Sequence, residues 1–159
     1  LLLRGAGLRV RMPIYPAKGY SLTYALKGIG TAPVVSLTDD EHKLVVSRLG
    51  DRLRVAGTAE FCGYDDSINP GRIAAMKRRI GDLLPDCTQA VPAETWAGLR
   101  PATPGNVPMI GASGCPNLFL DCGHGTLGWT LACGSARLLA DLIDGRAPDL
   151  DPRPYRVTG

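Results

Sequence analysis

Histidine is scarce in this 159-residue chain, which has only His42 and His124, and no two cysteines are spaced as CxxC. No metal-ligand cluster is visible on that count, and a zinc site is not expected. The five cysteines, Cys62, Cys87, Cys115, Cys122 and Cys133, are an odd number. Without paired spacing they argue against a disulfide framework and for a reducing compartment. No apolar run reaches the roughly 18 residues a membrane-spanning helix needs, and no signal-peptide pattern opens the chain. A dominant charge is missing too. Eighteen Lys and Arg against fifteen Asp and Glu leave a formal charge of +3, and no basic stripe carries interleaved aromatics, so nucleic acid is not an expected partner. Lys77-Arg78-Arg79 is the single basic run and reads as the solvated face of a helix. Internal repeats and low-complexity segments are absent. The chain opens Leu1-Leu2-Leu3 without methionine, as if cut from something longer.

What is present is globular: 45% hydrophobic and 21% charged residues, enough to bury a core. "LRVRMPIYP" and "YSLTYAL" alternate apolar and polar residues and predict two strands, with Lys18-Gly19 between them. "KLVVSRLGDRLRVAGTAEF" predicts a hairpin around Gly50-Asp51. Asn69 is a good N-cap and Pro70 suits the first helical position. Ile73, Met76, Ile80, Leu83 and Leu84 then recur at helical spacing until Pro85. "AETWAGLRP" predicts a strand, Thr103 to Pro108 a turn-rich link, and "NLFLDC" a short strand. A second helix is expected from about Leu127 to Ile143, closed by Gly145, and the proline-rich tail beyond Arg146 is expected to be extended. The fold class is α+β, a mostly antiparallel sheet with two main helices.

"DCGHGTLGWT" places Gly123, Gly125 and Gly128 directly before that second helix. A helix N-terminus has backbone N–H groups without partners and a partial positive charge. Glycines let a flat or anionic ligand approach such a backbone closely. The plain alternative is a tight strand-to-helix turn with close packing. Gly123, Gly125 and Gly128 have the bare GxGxxG spacing, but a lone glycine-rich loop is weak evidence and the segment is not read as the Rossmann fingerprint; no P-loop Lys-Ser/Thr follows.

From Trp96 to Arg146 the pattern W-x-G-L-R-P-x-T-P, P-x-I-G, N-L-x-L, G-H-G-T-L-G-W-T and L-L-x-D-L-I-x-G-R resembles the C-terminal part of the FAD-dependent amine and amino-acid oxidoreductases. "YPAKGYSLTYAL" and "RLRVAGTAEFCGYD" extend the resemblance over nearly the whole chain. Within the family it resembles the bacterial enzymes that oxidise D-amino acids. The resemblance implies a C-terminal fragment, about 40% of an enzyme whose N-terminal Rossmann unit is not in this sequence. Residues 1–95 would be part of the substrate-binding domain, 96–146 a segment completing the substrate and flavin sites, and 147–159 an extended tail.

The resemblance also implies FAD as cofactor. It implies oxidation of D-amino acids to 2-oxo acids and ammonia by hydride transfer to flavin N5. Gly123, His124, Gly125, Thr126, Leu127 and Gly128 match the flavin-facing loop, Thr126 offering a hydroxyl, and His124 reads equally as a structural histidine bonded to backbone. Arg100 matches the arginine that holds the substrate carboxylate, since a guanidinium fork makes two parallel hydrogen bonds to a carboxylate. The alternative for Arg100 is a surface salt bridge. Tyr20 and Tyr64 are weaker substrate-binding candidates, with packing as the plain reading of Tyr20. Trp129 reads as core. No catalytic base and no metal ligand is assigned. A respiratory quinone as electron acceptor, a cytoplasmic location with peripheral association at the inner membrane, and a homo-oligomer go with the resemblance. A glycine or sarcosine oxidase of the same family, or a non-catalytic binding module, are the competing readings. The fragment by itself is expected neither to hold FAD tightly nor to turn over.

Overall fold

The computed structural model describes residues 2–5, 7, 10, 12–26, 32–88 and 92–157. The chain divides into two compact units, one from Ala17–Leu99 and one from Leu1–Pro16 with Arg100–Gly159.

The first of these is built on a five-stranded sheet of β1 (Tyr15–Ala25), β2 (Leu37–Asp39), β3 (Leu44–Leu49), β4 (Arg52–Glu60) and β5 (Glu94–Ala102), in the order β2-β3-β4-β1-β5. The pairings β1–β4, β2–β3 and β3–β4 are antiparallel. The expected β3–β4 hairpin forms. Leu49 faces Arg52 across a two-residue loop, and Gly50 takes φ 63° there, as a primed turn requires. Period-two alternation aims Tyr20, Leu22, Tyr24, Leu44, Val46, Leu53 and Val55 into one core. The helix α2 (Pro70–Leu83) covers them with Ile73, Met76 and Ile80. Each such side chain, fully buried, contributes about 1.5–3 kcal/mol. Asn69 caps α2 as the sequence predicts, its Oδ1 accepting from the amides of Gly71 at 2.9 Å and Arg72 at 3.4 Å.

Several expectations change here. Lys18-Gly19 is not a break between two strands, because β1 runs straight through it. Of the strand predicted over residues 8–16, Leu8, Arg9 and Arg11 lie outside the described residues, and residues 12–14 are irregular, so the strand starts only at Tyr15. The short strand β2 is not evident from the sequence because three residues carry too little alternation to register. Arg79 does not join Lys77 and Arg78 in solvent; its Nε lies 2.6 Å from Asp39 Oδ2.

The other unit contains the four-residue helix α1 (Leu2–Gly5), the antiparallel pair β6 (Met109–Ala112) and β7 (Phe119–Cys122), and the helix α3 (Gly128–Ile143). α3 turns Ser135, Leu138 and Asp141 inward. Asp141 is 2% exposed and accepts from Arg137 Nε at 3.0 Å and Arg146 Nε at 2.9 Å, which ties the helix end to the segment beyond Gly145. Trp129 is not core: it is 95% exposed. It lies about 120° around the helix from Ser135, off the buried stripe. The tail is not simply extended either. Arg153–Tyr155 form a turn of 3-10 helix, opened by Asp151 Oδ1 accepting from the Arg153 amide at 3.0 Å.

Candidate functional site

The loop between β7 and α3 is held in a shape only its glycines permit. Gly123 and Gly125 take φ 84° and 54°, where a side chain is strained. A Cβ on Gly123 would sit 2.6 Å from Thr103 Cγ2. Leu127 occupies the N-cap position of α3 and has no side-chain acceptor to offer. The first intrahelical bond there runs from the Leu131 amide to the Leu127 carbonyl at 2.9 Å. Among the described residues the amides of Gly128, Trp129 and Thr130 therefore keep no intramolecular acceptor. Thr126 and Leu127 are exposed beside them.

His124 braces this loop. Its Nε2 lies 2.8 Å from Ser135 Oγ, on α3, and 3.3 Å from Asp121 Oδ1, on β7. The Ser135 hydroxyl can donate to this nitrogen or accept from it, and the Asp121 carboxylate stands alongside. These partners are side chains, where the structural alternative for His124 had a bond to backbone. Cys122, next to them, stays a thiol because burial, with Asp121 alongside, pushes its pKa up.

Arg100 stands near the end of β5 and is half-buried. Burial lowers its pKa from the ordinary guanidinium value. That partial dehydration strengthens any pairing with a carboxylate. The next residue, Pro101, accepts from the Gly125 amide at 3.0 Å. Gly125 and the residue that follows Arg100, 24 positions apart in the chain, thus share a direct backbone hydrogen bond. The W-x-G part of the motif has a packing origin: the Trp96 ring lies across Gly98, where a Cβ would meet Cη2 at 2.2 Å. Arg54 stacks above that ring at 6.0 Å.

Tyr20 and Tyr64 are not brought together in the same way. Tyr20 is 1% exposed, and its hydroxyl donates to Glu60. Tyr64 is 67% exposed on the loop that follows β4. Beside Tyr20 sits a residue that sequence reasoning passed over. Lys18, 1% exposed, places its ammonium 3.1 Å from Asp65 Oδ2, 3.0 Å from the Ser67 carbonyl and 3.6 Å from Glu60 Oε2. A buried lysine on a strand is rare without partners, but nothing in the sequence spacing points to carboxylates some forty residues away.

The structure also groups Asp39, Glu41 and His42, whose ligand atoms lie within 4.8 Å of one another. Arg79 already neutralises Asp39, and Glu41 is 80% exposed, so the group serves as a tie between the β2–β3 turn and α2. All five cysteines are free. No helix among the described residues is long and apolar enough to cross a membrane.

Comparison with known proteins places the chain in a family. The family model described as FAD dependent oxidoreductase matches residues 1–142. The chain is similar to the D-amino acid dehydrogenase of Dechloromonas aromatica, 57% identical over 149 residues, covering 94% of this chain and 35% of that protein. It is also similar to that of Paramagnetospirillum magneticum, 56% identical over 146 residues, covering 92% of this chain and 34% of that protein. The chain thus spans little more than a third of the length of these curated relatives. Among solved structures, glycine oxidase from Geobacillus kaustophilus superposes with a TM-score of 0.85 at 24% identity, over 99% of this chain and 42% of that one. Iminodiacetate oxidase from a Chelativorans species gives 0.81 at 25% identity, over 94% of this chain and 41% of that one.

Proposed function

The chain belongs to the FAD-dependent oxidoreductase family, and from that premise we propose that it is part of a D-amino-acid dehydrogenase, an enzyme that converts D-amino acids to 2-oxo acids and ammonia. The observation that carries this reading is the identity of 57% to a protein named D-amino acid dehydrogenase, sustained over 94% of the chain. The residues present fit part of a flavin. Positive-φ glycines and the unpartnered amides of Gly128, Trp129 and Thr130 suit a flat group with negative charge at one edge. The GxGxxG spacing of Gly123, Gly125 and Gly128 belongs to this loop ahead of α3, and no residues of the chain are given to the ADP half.

The loop Gly123–Gly128 would hold the flavin ring, which would supply an acceptor for the Cα hydride of the amino acid. Arg100 holds the substrate carboxylate in a two-point grip, which orients Cα–H as well as binding it. The loop Gly123–Gly128 and the first turn of α3 present N–H groups where negative charge gathers. Loss of the hydride leaves an iminium group, and water hydrolyses it to the 2-oxo acid and ammonia. No residue of this chain is assigned as a base. Because the relatives are named dehydrogenases, a respiratory quinone is the proposed electron acceptor, with the enzyme peripheral at the inner membrane.

The test is anaerobic reduction of the protein made from the full reading frame that contains this chain. D-alanine is expected to bleach the oxidised-flavin absorbance while L-alanine, glycine and sarcosine do not. Bleaching by glycine or sarcosine instead would move the substrate assignment to the amine oxidases of the family. A protein that purifies without flavin would favour a binding module.

A further inference from the structure

The turn before α3 carries one ring between two left-handed glycines, His124 between Gly123 at φ 84° and Gly125 at φ 54°. Only 13% of that side chain is exposed. Its Nε2 reaches Ser135 Oγ at 2.8 Å and stands 3.3 Å from Asp121 Oδ1. Ser135 lies seven residues after Gly128 in α3, so the two share one face of the helix, about 10 Å apart along its axis. A Cβ on Gly128 would stand 3.5 Å from His124 Cβ. The histidine side chain therefore starts beside the first residue of α3 and runs along that face to a hydroxyl two turns on. Ser135 is 6% exposed, and a buried hydroxyl needs such a partner.

The rest of the turn is held by backbone. The Gly125 amide donates to the Pro101 carbonyl at 3.0 Å, and the Leu127 amide to the His124 carbonyl at 3.0 Å. Neither bond reaches the body of α3. The imidazole does, and through Asp121 it also meets β7, whose register against β6 pairs Asp121 with Ile110. One ring thus joins a paired strand, the turn and the middle of the helix. Three glycines in the six residues from Gly123 to Gly128 leave this turn much conformational freedom to lose on ordering, and a side-chain clasp from inside restricts it.

We propose that His124 is a positioning residue: its ring clamps the Gly123–Gly128 turn against α3 and β7, so that the amides of Gly128, Trp129 and Thr130 keep a fixed array toward the negative edge of the flavin. The clamp stands on geometry within one unit of the chain; its use for the cofactor rests on the reading that this turn faces the flavin. Donors already in place stabilise the charge that gathers on reduction without reorganising, whereas a loose glycine turn must first be ordered. In this role the ring touches neither flavin nor substrate, and no proton transfer is asked of it.

The test compares His124→Ala and His124→Gln with the parent, all as the full-reading-frame protein with flavin. In His124→Ala, amide hydrogen exchange over residues 123–130 is expected to quicken about tenfold or more, while exchange in β6 and the last two turns of α3 stays as in the parent. The bound flavin is expected to become harder to reduce. Its reduction by saturating D-alanine is expected to slow about tenfold, with KM nearly unchanged because Arg100 is untouched. Glutamine carries an amide close to the Nε2 position and is expected to recover part of each effect. Should His124→Ala fail to fold, Ser135→Ala removes the helix end of the clamp and is expected to loosen the same amides. Unchanged exchange across the turn in Ser135→Ala and His124→Ala sinks the clamp. A loosened turn with the parent's flavin potential and reduction rate overturns the role toward the cofactor. A parent protein that purifies without flavin defeats the flavin reading of the turn, and the exchange result still decides the clamp.

Discussion

Gly123 and Thr103 are packed so closely that a Cβ on the glycine would stand 2.6 Å from Thr103 Cγ2. Thr103 cannot retreat, since it is buried and its hydroxyl donates to the Val107 carbonyl at 2.8 Å. The turn before α3 and the link after β5 are therefore shaped as one piece, and the glycine is needed twice over, for its φ of 84° and for the missing side chain.

Gly123→Ala is accordingly expected to destabilise by about 2–3 kcal/mol, combining the left-handed backbone cost with the clash. Gly125→Ala meets only Asn106 Oδ1 at 3.8 Å and is expected to cost about 1 kcal/mol, from its backbone alone. Thermal melts of the two variants separate the causes. Equal shifts would mean that Thr103 yields.

Arg100→Lys keeps the charge and removes the fork. KM for D-alanine is expected to rise about tenfold or more while bound flavin per protein stays the same. Steady-state kinetics together with the flavin absorbance provide the check. An unchanged KM would take Arg100 out of the carboxylate site.

Asp39 is held to about 2, below its ordinary 3.8, first by the hydrogen bond from Arg79 and then by the His42 amide. A carboxylate with a lowered folded pKa stabilises the fold fully above its unfolded value, and that stability is lost as pH falls through the folded one. Arg79→Met is thus expected to melt below the parent at neutral pH. The difference should shrink as pH falls from about 4 toward about 2. Melting curves across that window test the sign; a gap that stays constant down to pH 2 would leave the effect to packing.

Asn69→Ala removes the acceptor for the Gly71 and Arg72 amides. The expected cost is about 1 kcal/mol, seen as a lower Tm, with Asn69→Asp close to the parent.

Much of the architecture was legible from local chemistry. Asn69-Pro70, the spacing of Ile73, Met76 and Ile80, and the Gly50-Asp51 turn each determine their own surroundings within a few residues. The glycines before α3 were legible for the same reason, since helix-end amides and positive φ are local properties. Lys18-Gly19 was misread because a glycine in a strand and a glycine in a turn look alike until the partner strand is known. Trp129 was misread because a large aromatic residue implies burial on average but says nothing of which side of a helix it occupies.

The sequence by itself determined the two main helices and where they begin, the β3–β4 hairpin, and the family to which the pattern belongs. Only the tertiary structure decided that Gly125 bonds to Pro101 beside Arg100, that a bulge at Thr58 turns Glu60 toward Lys18, and that Asp65 comes back to meet that ammonium. Propensities and caps act between neighbours in the chain. A buried charge finds its partners through sheet register, and one extra residue in a strand is enough to reverse it.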